Sequence, residues 1–277
     1  MDYIELTCEK PRSEEQLEIL IAELAELGFE SFTEEADHLL AYIPEKDFSD
    51  QLLAGNTYLI DLQAYSRLET RLVKEQNWNA VWESNYDPVI IDNRCQIRAP
   101  FHPANDKLEF DIVIHPKMSF GTAHHETTSQ IISLLLDEDV KDLKVLDMGC
   151  GTGVLAILAM LKGAKSAVAI DFDEWAYNNS IENVALNKMD QIDVQLGDAT
   201  LLGNELFDLI LANINKNVLL ADIHAYSKVL KRGGRIIFSG FYVDDLVDIK
   251  EEAEKHSLAY QSHCNKNRWV AAVFVKV

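Results

Sequence analysis

Residues 144–157 read Lys-Val-Leu-Asp-Met-Gly-Cys-Gly-Thr-Gly-Val-Leu-Ala-Ile, and few architectures accommodate such a run. A short apolar stretch ends in Asp147. Three alternating glycines follow (Gly149, Gly151 and Gly153), and then a second apolar run from Val154 to Leu161. The pattern predicts a buried strand, a tight turn and a helix. Glycines at the carboxyl end of a strand let the backbone approach a ligand, and the helix N-terminus offers N–H groups without partners in the helix. Open sheets of parallel strands wrapped by helices bind their ligands at this place. From about Glu126 onward, helix and strand patterns do alternate. Strands are predicted at residues 166–170, 193–196 and 207–212, with a fifth after the Gly-Gly turn at 233–234. Two closing strands fall near 260–265 and 269–275, completing seven.

The glycine turn alone serves a dinucleotide, or is only a tight turn. Asp147 shifts the reading, because an acid ahead of the glycines is unfavourable for a pyrophosphate and suits a cationic ligand. The ammonium and sulfonium of S-adenosylmethionine fit. Asp171 closes the second strand, where an acid accepts hydrogen bonds from ribose hydroxyls. Phe172 is placed to pack on an adenine, while Trp175 and Tyr177 read as core or surface filling. Gly197-Asp198 follows the third strand, and Asp198 either binds the adenine amino group or belongs to an ordinary turn. Asn213 ends the central strand. There it positions an incoming amine without acting as a base, or simply terminates the strand. The predicted cofactor contacts are therefore Gly149, Gly151, Asp171 and Asp198, with Asn213 the positioning group for catalysis and no general base assigned. His124-His125-Glu126 does not read as a metal site, because adjacent histidines point apart and no third ligand is evident.

The first 66 residues read as strand, helix, strand, strand, helix, strand, the order of a ferredoxin-like unit. Ser13 with Gln16 forms a capping-box pattern ahead of a stripe of Leu17, Leu20, Ile21, Leu24 and Leu27. The fourth strand is predicted at 58–64, a connecting helix at 67–82 carrying Leu68, Leu72, Trp78 and Trp82, an extended linker at 83–93 and a hairpin within 96–114. The expected domains are thus 1–66, a 67–93 linker and 94–277. Net charge is −21, and residues 1–66 hold 16 acidic against 3 basic side chains. Such a surface repels phosphate backbones and favours a basic protein as partner. The four cysteines show no CxxC or metal spacing, consistent with reduced thiols. No signal peptide and no membrane-length apolar run are read, so a cytoplasmic location is expected.

Taken together, Phe120-Gly-Thr-Ala-His-His-Glu-Thr-Thr128, the Asp147–Gly153 loop, Ala169-Ile-Asp-Phe-Asp173 and Ala212-Asn-Ile214 resemble the ribosomal protein L-eleven methyltransferases, the PrmA family. Trp78-Asn-Ala-Val-Trp82, upstream of Ile97-Arg-Ala-Pro-Phe-His102, is similar to the segment joining the two domains there. The resemblance implies a seven-stranded Rossmann-like class I methyltransferase domain preceded by a small ferredoxin-like α+β domain that recognises substrate. It implies transfer of methyl groups from S-adenosylmethionine to lysine side-chain and N-terminal amines of a large-subunit ribosomal protein. The alternative is a methyltransferase acting on RNA, which the charge disfavours, or on a small molecule, for which the separate first domain is more than is required. Carried over by position, Thr128, Gly149, Asp171 and Asn213 would contact the cofactor. The family often has Gly where this chain has Ala123, which bears on the loop if a positive φ is needed there.

Overall fold

The computed structural model describes residues 2–11, 13–54, 68–73, 86–117 and 120–277. The chain divides into two compact units, Met1–Asn85 and Tyr86–Val277.

In the first unit, β1 (Tyr3–Glu9), α1 (Glu14–Glu26), β2 (Ser31–Glu34), β3 (His38–Pro44), the short α2 (Asp50–Ala54) and β4 (Glu69–Val73) follow in order. The sheet runs β2-β3-β1-β4 with every neighbouring pair antiparallel, which is the ferredoxin-like order. The Ser13 hydroxyl accepts the Gln16 N–H at 3.2 Å and starts α1. Leu17, Leu20 and Leu24 lie three to four residues apart and pack against Leu6, Leu39, Ala41 and Ile43. Each such leucine contributes about 1.5–3 kcal/mol on full burial.

Two expectations are corrected here. Glu69–Val73, assigned from sequence to a connecting helix, is a strand paired with β1, so the small unit extends past residue 66. Leu68 and Leu72 are four apart, a spacing that satisfies both a helical stripe and one face of a strand. The strand expected at 58–64, and Trp78 and Trp82, lie outside the described residues. One polar row fixes the register. Glu5 of β1 stands opposite Tyr42 of β3 and Arg71 of β4. Its Oε2 accepts from the Tyr42 hydroxyl at 3.1 Å and the Arg71 guanidinium at 2.9 Å.

The second unit begins with β5 (Val89–Ile91), β6 (Cys95–Arg98) and β7 (Phe110–Val113). β5 and β6 form the hairpin, turning through Asp92 and Asn93 at φ 51° and 53°. β6 and β7 run parallel, so the hairpin expected within 96–114 is absent. The segment between them, with Pro100 and Pro103, is a crossover rather than a tight turn. β5 also starts inside the expected linker.

Then follow α3 (Glu126–Asp137), β8 (Lys144–Met148), α4 (Val154–Leu161), β9 (Ser166–Asp171), α5 (Glu174–Leu186), β10 (Ile192–Leu196), β11 (Phe207–Asn213), α6 (Lys216–Val229), β12 (Leu230–Tyr242), α7 (Leu246–Lys255), β13 (Leu258–Lys266) and β14 (Trp269–Lys276). The sheet order is β10-β9-β8-β11-β12-β14-β13. The first five strands are parallel, and β14 is antiparallel to both β12 and β13. Val145, Leu146, Ile210, Leu211 and Ile237 are fully buried in the middle of this sheet, covered by helices on both faces. The strand order reverses between β8 and β11, which places a crevice at their carboxyl ends. Among the described residues no helix is long and apolar enough to cross a membrane.

The Glu5 row generates a stability prediction. Glu5→Ala is expected to cost about 1–2 kcal/mol, below the full value of two charge-assisted bonds, since Arg71 is largely exposed and screened. Urea denaturation measures this, and an unchanged midpoint would show that the row does not stabilise the sheet.

Candidate functional site

Met148 of β8 lies beside Ala212 of β11, so the residues that follow, Gly149 and Asn213, leave the sheet side by side. A cavity of about 1000 Å³ opens at this edge. Gly149, Gly151, Asp171, Asp198 and Asn213 all line it. Phe120, Phe172, Trp175 and Trp269 supply aromatic wall, Phe172 and Trp175 being about four-fifths exposed. The ring of His125 bridges Phe120 and Trp269, with centroids 5.2 and 4.8 Å away.

Two carboxylates shape the glycine loop. Asp171 accepts the Gly151 N–H on Oδ2 at 2.8 Å and the Asp173 N–H on Oδ1 at 3.0 Å. Asp147 is wholly buried behind the loop and accepts the Ala156 N–H on Oδ2 at 3.1 Å. Its Oδ1 takes no hydrogen bond among the described residues. Burial pushes the Asp147 carboxyl up to about 7, with the Asp171 charge adding to the effect. Gly151 sits at φ 58°, and a Cβ there would come 2.2 Å from the Phe120 carbonyl oxygen. That contact belongs to a strap: the Phe120 carbonyl accepts the Thr152 N–H at 2.9 Å and the Gly121 carbonyl accepts the Thr152 hydroxyl at 2.7 Å.

Asn213 is oriented from the other side. Its Nδ2 donates to the Thr128 hydroxyl, 3.1 Å away in the first turn of α3. Its Oδ1 is buried and takes no hydrogen bond among the described residues. Asn213 lines the cavity, and its Oδ1 is enclosed where β11 ends. Asp198 is fixed differently: its Oδ1 accepts from the Thr200 hydroxyl at 2.6 Å and the Thr200 N–H at 2.9 Å, and these bonds hold its carboxyl below the usual range.

The charge of the lining chooses between ligand classes. Four carboxylates line the cavity (Asp171, Asp173, Asp198 and Asp222), whereas Lys117 and His125 are its basic members among the described residues. Lys117 is engaged by Glu182. A carboxylate already occupies an N–H of the first turn of α4, where a phosphate would dock. The site suits a ligand that brings cationic and donor groups, and a dinucleotide pyrophosphate would meet repulsion.

The family model for ribosomal protein L11 methyltransferase (PrmA) matches residues 6–277. The chain belongs to this family. A Bacteroides thetaiotaomicron member, the ribosomal protein L11 methyltransferase, is 45% identical over 283 residues, covering 99% of each chain. A Chlorobaculum tepidum member of the same name is 34% identical over 275 residues, covering 92% of this chain and 91% of its own. Among solved structures, the ribosomal protein L11 methylase of Lactobacillus delbrueckii subsp. bulgaricus is similar at 29% identity and TM-score 0.63. That match covers 69% of this chain and 99% of the other.

With the family in hand, the residues singled out from sequence can be placed. Gly149, Gly151, Asp171, Asp198 and Asn213 meet at the cavity. Thr128 is not among the lining residues and reaches the site through Asn213. Asp147 likewise stands behind the loop, capping α4 rather than facing the cavity. Trp175, read as core or surface filling, is exposed at the cavity wall. His124, His125 and Glu126 diverge: His124 meets Thr122 and the Asp87 carbonyl, His125 caps α3 through Nδ1, and Glu126 accepts from Asn267. Ala123 does take a positive φ, 66°, and is buried. Trp269, Phe120 and His125 had not been assigned a role. Trp269 opens an antiparallel strand, so it falls at the edge where the parallel strands end, opposite Tyr242.

The buried Asp147 gives a pH prediction. Its folded pKa is raised from the ordinary 3.8 to about 7, so the folded state holds this proton more tightly than the unfolded chain. The associated stability is present below about pH 4 and is lost as pH rises toward 7. Asp147→Asn keeps an acceptor for Ala156 and removes that loss. Relative to the parent it should gain stability between pH 5 and pH 8, followed by urea denaturation at each pH. An equal difference at both would mean that the carboxyl is already ionised at pH 5.

Proposed function

We propose that this protein transfers methyl groups from S-adenosylmethionine to lysine side-chain and N-terminal amines of ribosomal protein L11, and does so in the cytoplasm. The observation that carries the reading is the Asn213 Oδ1, a buried acceptor without a partner among the described residues at the end of the central strand, next to the glycine loop. Family membership over residues 6–277 supports the substrate.

The residues present fit the cofactor. Asp171 offers acceptors for ribose hydroxyls, Asp198 an acceptor for the adenine amino group, and Phe172 an apolar face. Asp147 stands behind the glycine loop, where a bound cation would favour its ionised form. Thr128 acts through the Asn213 amide that it holds. When bound, S-adenosylmethionine supplies a methyl group on a sulfonium, already activated for in-line displacement. The protein has to align an amine with that methyl group and keep water away. The Asn213 Oδ1 accepts one N–H of the incoming amine and so directs its lone pair. Asparagine takes up no proton, so a lysine amine, with an ordinary pKa of about 10.4, must arrive neutral or lose its proton to solvent. The aromatic wall of Phe120 and Trp269 favours the neutral amine by excluding water. The His125 ring is held at Nδ1 by Thr127, whose hydroxyl lies 2.8 Å and whose N–H lies 3.3 Å away.

The acidic residues of the 1–66 segment, 16 against 3 basic, favour encounter with a basic ribosomal protein. Such attraction is screened over about 8 Å at physiological ionic strength.

Incubation of the protein with methyl-labelled S-adenosylmethionine and a ribosomal extract tests the reading. Label is expected in one large-subunit protein, on amine nitrogens. Label in RNA or in small molecules would overturn the substrate, and no label anywhere would overturn the activity. With that protein purified, raising salt from 50 to 300 mM should raise its KM several-fold and leave the KM for S-adenosylmethionine unchanged. Equal responses would remove the charge contribution to docking.

A further inference from the structure

The mechanism above leaves two carboxylates of the cavity unused: Asp173, whose Oδ1 caps α5 through the Ala176 N–H, and Asp222. Asp222 lies about two turns into α6, a helix that packs on the short 3-10 turn Ala199–Leu201 behind Asp198. Asp198, Ala199, Val218, Asp222 and Tyr226 line the same cavity. Tyr226 is fully buried, and its hydroxyl donates to the Asp222 Oδ2 at 3.3 Å. That bond fixes the Asp222 side chain and spends the Tyr226 proton. Across from it, Asp198 is fixed by the two bonds from Thr200.

Two oriented carboxylates thus line this cavity, Asp222 on α6 and Asp198 at the start of the 3-10 turn on which α6 packs. Burial raises the Asp222 carboxyl above its ordinary range, the Tyr226 hydroxyl opposes this, Asp198 adds to it, and His224 on the same helix opposes it weakly. A ligand edge that enters here gains by bringing N–H donors and loses by bringing an acceptor. The 6-amino group of adenine carries two N–H bonds, one toward each edge of the ring. A 6-oxo purine of the same size carries a carbonyl oxygen instead.

We propose that Asp222 is a second acceptor for the adenine amino group, beside Asp198, and that the pair makes this cavity selective for adenosyl over inosyl ligands. The proposal rests on the cavity being the S-adenosylmethionine site, and its test separates the two. Tyr226 is then a positioning residue for Asp222.

Isothermal titration calorimetry of the full chain with S-adenosylhomocysteine and with S-inosylhomocysteine reads the selectivity without any turnover. The parent should bind the adenosyl compound at least tenfold more tightly, as expected for a charge-assisted hydrogen bond made in one case and replaced by repulsion in the other. Asp222→Ala should lose about tenfold in affinity for the adenosyl compound and none for the inosyl compound, so the ratio shrinks by about tenfold. Asp222→Asn conserves shape and can turn its NH2 toward a 6-oxo group, so its ratio should shrink as well, with the fold preserved. Equal losses for both ligands in both variants would mean that Asp222 only supports α6, and would overturn the proposal. A parent that binds both ligands equally would overturn it too. A parent that binds neither would overturn the assignment of the cavity and the proposal with it.

Discussion

The hydrogen bond from the Asn213 amide to the Thr128 hydroxyl, 3.1 Å long, sets the polarity of the site. It uses one N–H of the amide and leaves the acceptor end, Oδ1, without a partner among the described residues. A buried amide oxygen left unpaired costs about 1–3 kcal/mol, so the fold maintains it against its own stability. Much of the surrounding structure serves that arrangement. β8 and β11 must be neighbours for Asn213 to stand beside the glycine loop. α3 must begin close enough for its first turn to reach β11. The loop leading into α3 is strapped to Thr152 and passes Gly151 at a distance that no Cβ would tolerate. Ala123, in the same loop, holds φ 66° at a cost of about 1–2 kcal/mol relative to a right-handed residue.

Electrostatics give the site its second character. A glycine loop before a helix usually offers positive potential to an anion. Here Asp147 occupies an N–H of α4 from behind and Asp171 occupies an N–H of Gly151 from the front. The loop keeps the close backbone approach that glycine permits while losing its preference for phosphate. Asp147 is buried deeply enough to sit near neutrality on its own. A cation in the cavity would favour its ionised form, which couples ligand charge to the protonation of the loop.

The features that were legible in the sequence are those in which one residue type answers one backbone or chemical demand. Gly149, Gly151 and Gly153 all take positive φ, so their spacing announced the turn. Asp171, Asp198 and Asn213 end or follow strands, and alternation made those strands visible. The alternation of helix and strand announced a sheet wrapped by helices, though not the order of its strands. Other features depend on what the chain meets after folding. Leu68 and Leu72 satisfy two periods at once, and only pairing with β1 makes the segment a strand. Whether β6 and β7 run parallel is decided by the path between them, which spacing does not encode. Thr128 has the sequence signature of a site residue, yet it reaches the cavity only through Asn213. Asp222 looks like one more acid on a solvated helix face until α6 is docked beside Asp198.

The central claim is that Asn213 aligns the amine rather than merely ending a strand, and single-turnover methyl transfer at saturating S-adenosylmethionine tests it most directly. With Asn213→Ala, the rate on the ribosomal protein substrate should fall by more than tenfold, as loss of a buried, oriented hydrogen bond to the reacting group implies. Affinity for S-adenosylhomocysteine should fall by a smaller factor. A variant that transfers methyl groups at the parent rate would contradict the account and leave Asn213 as the end of β11.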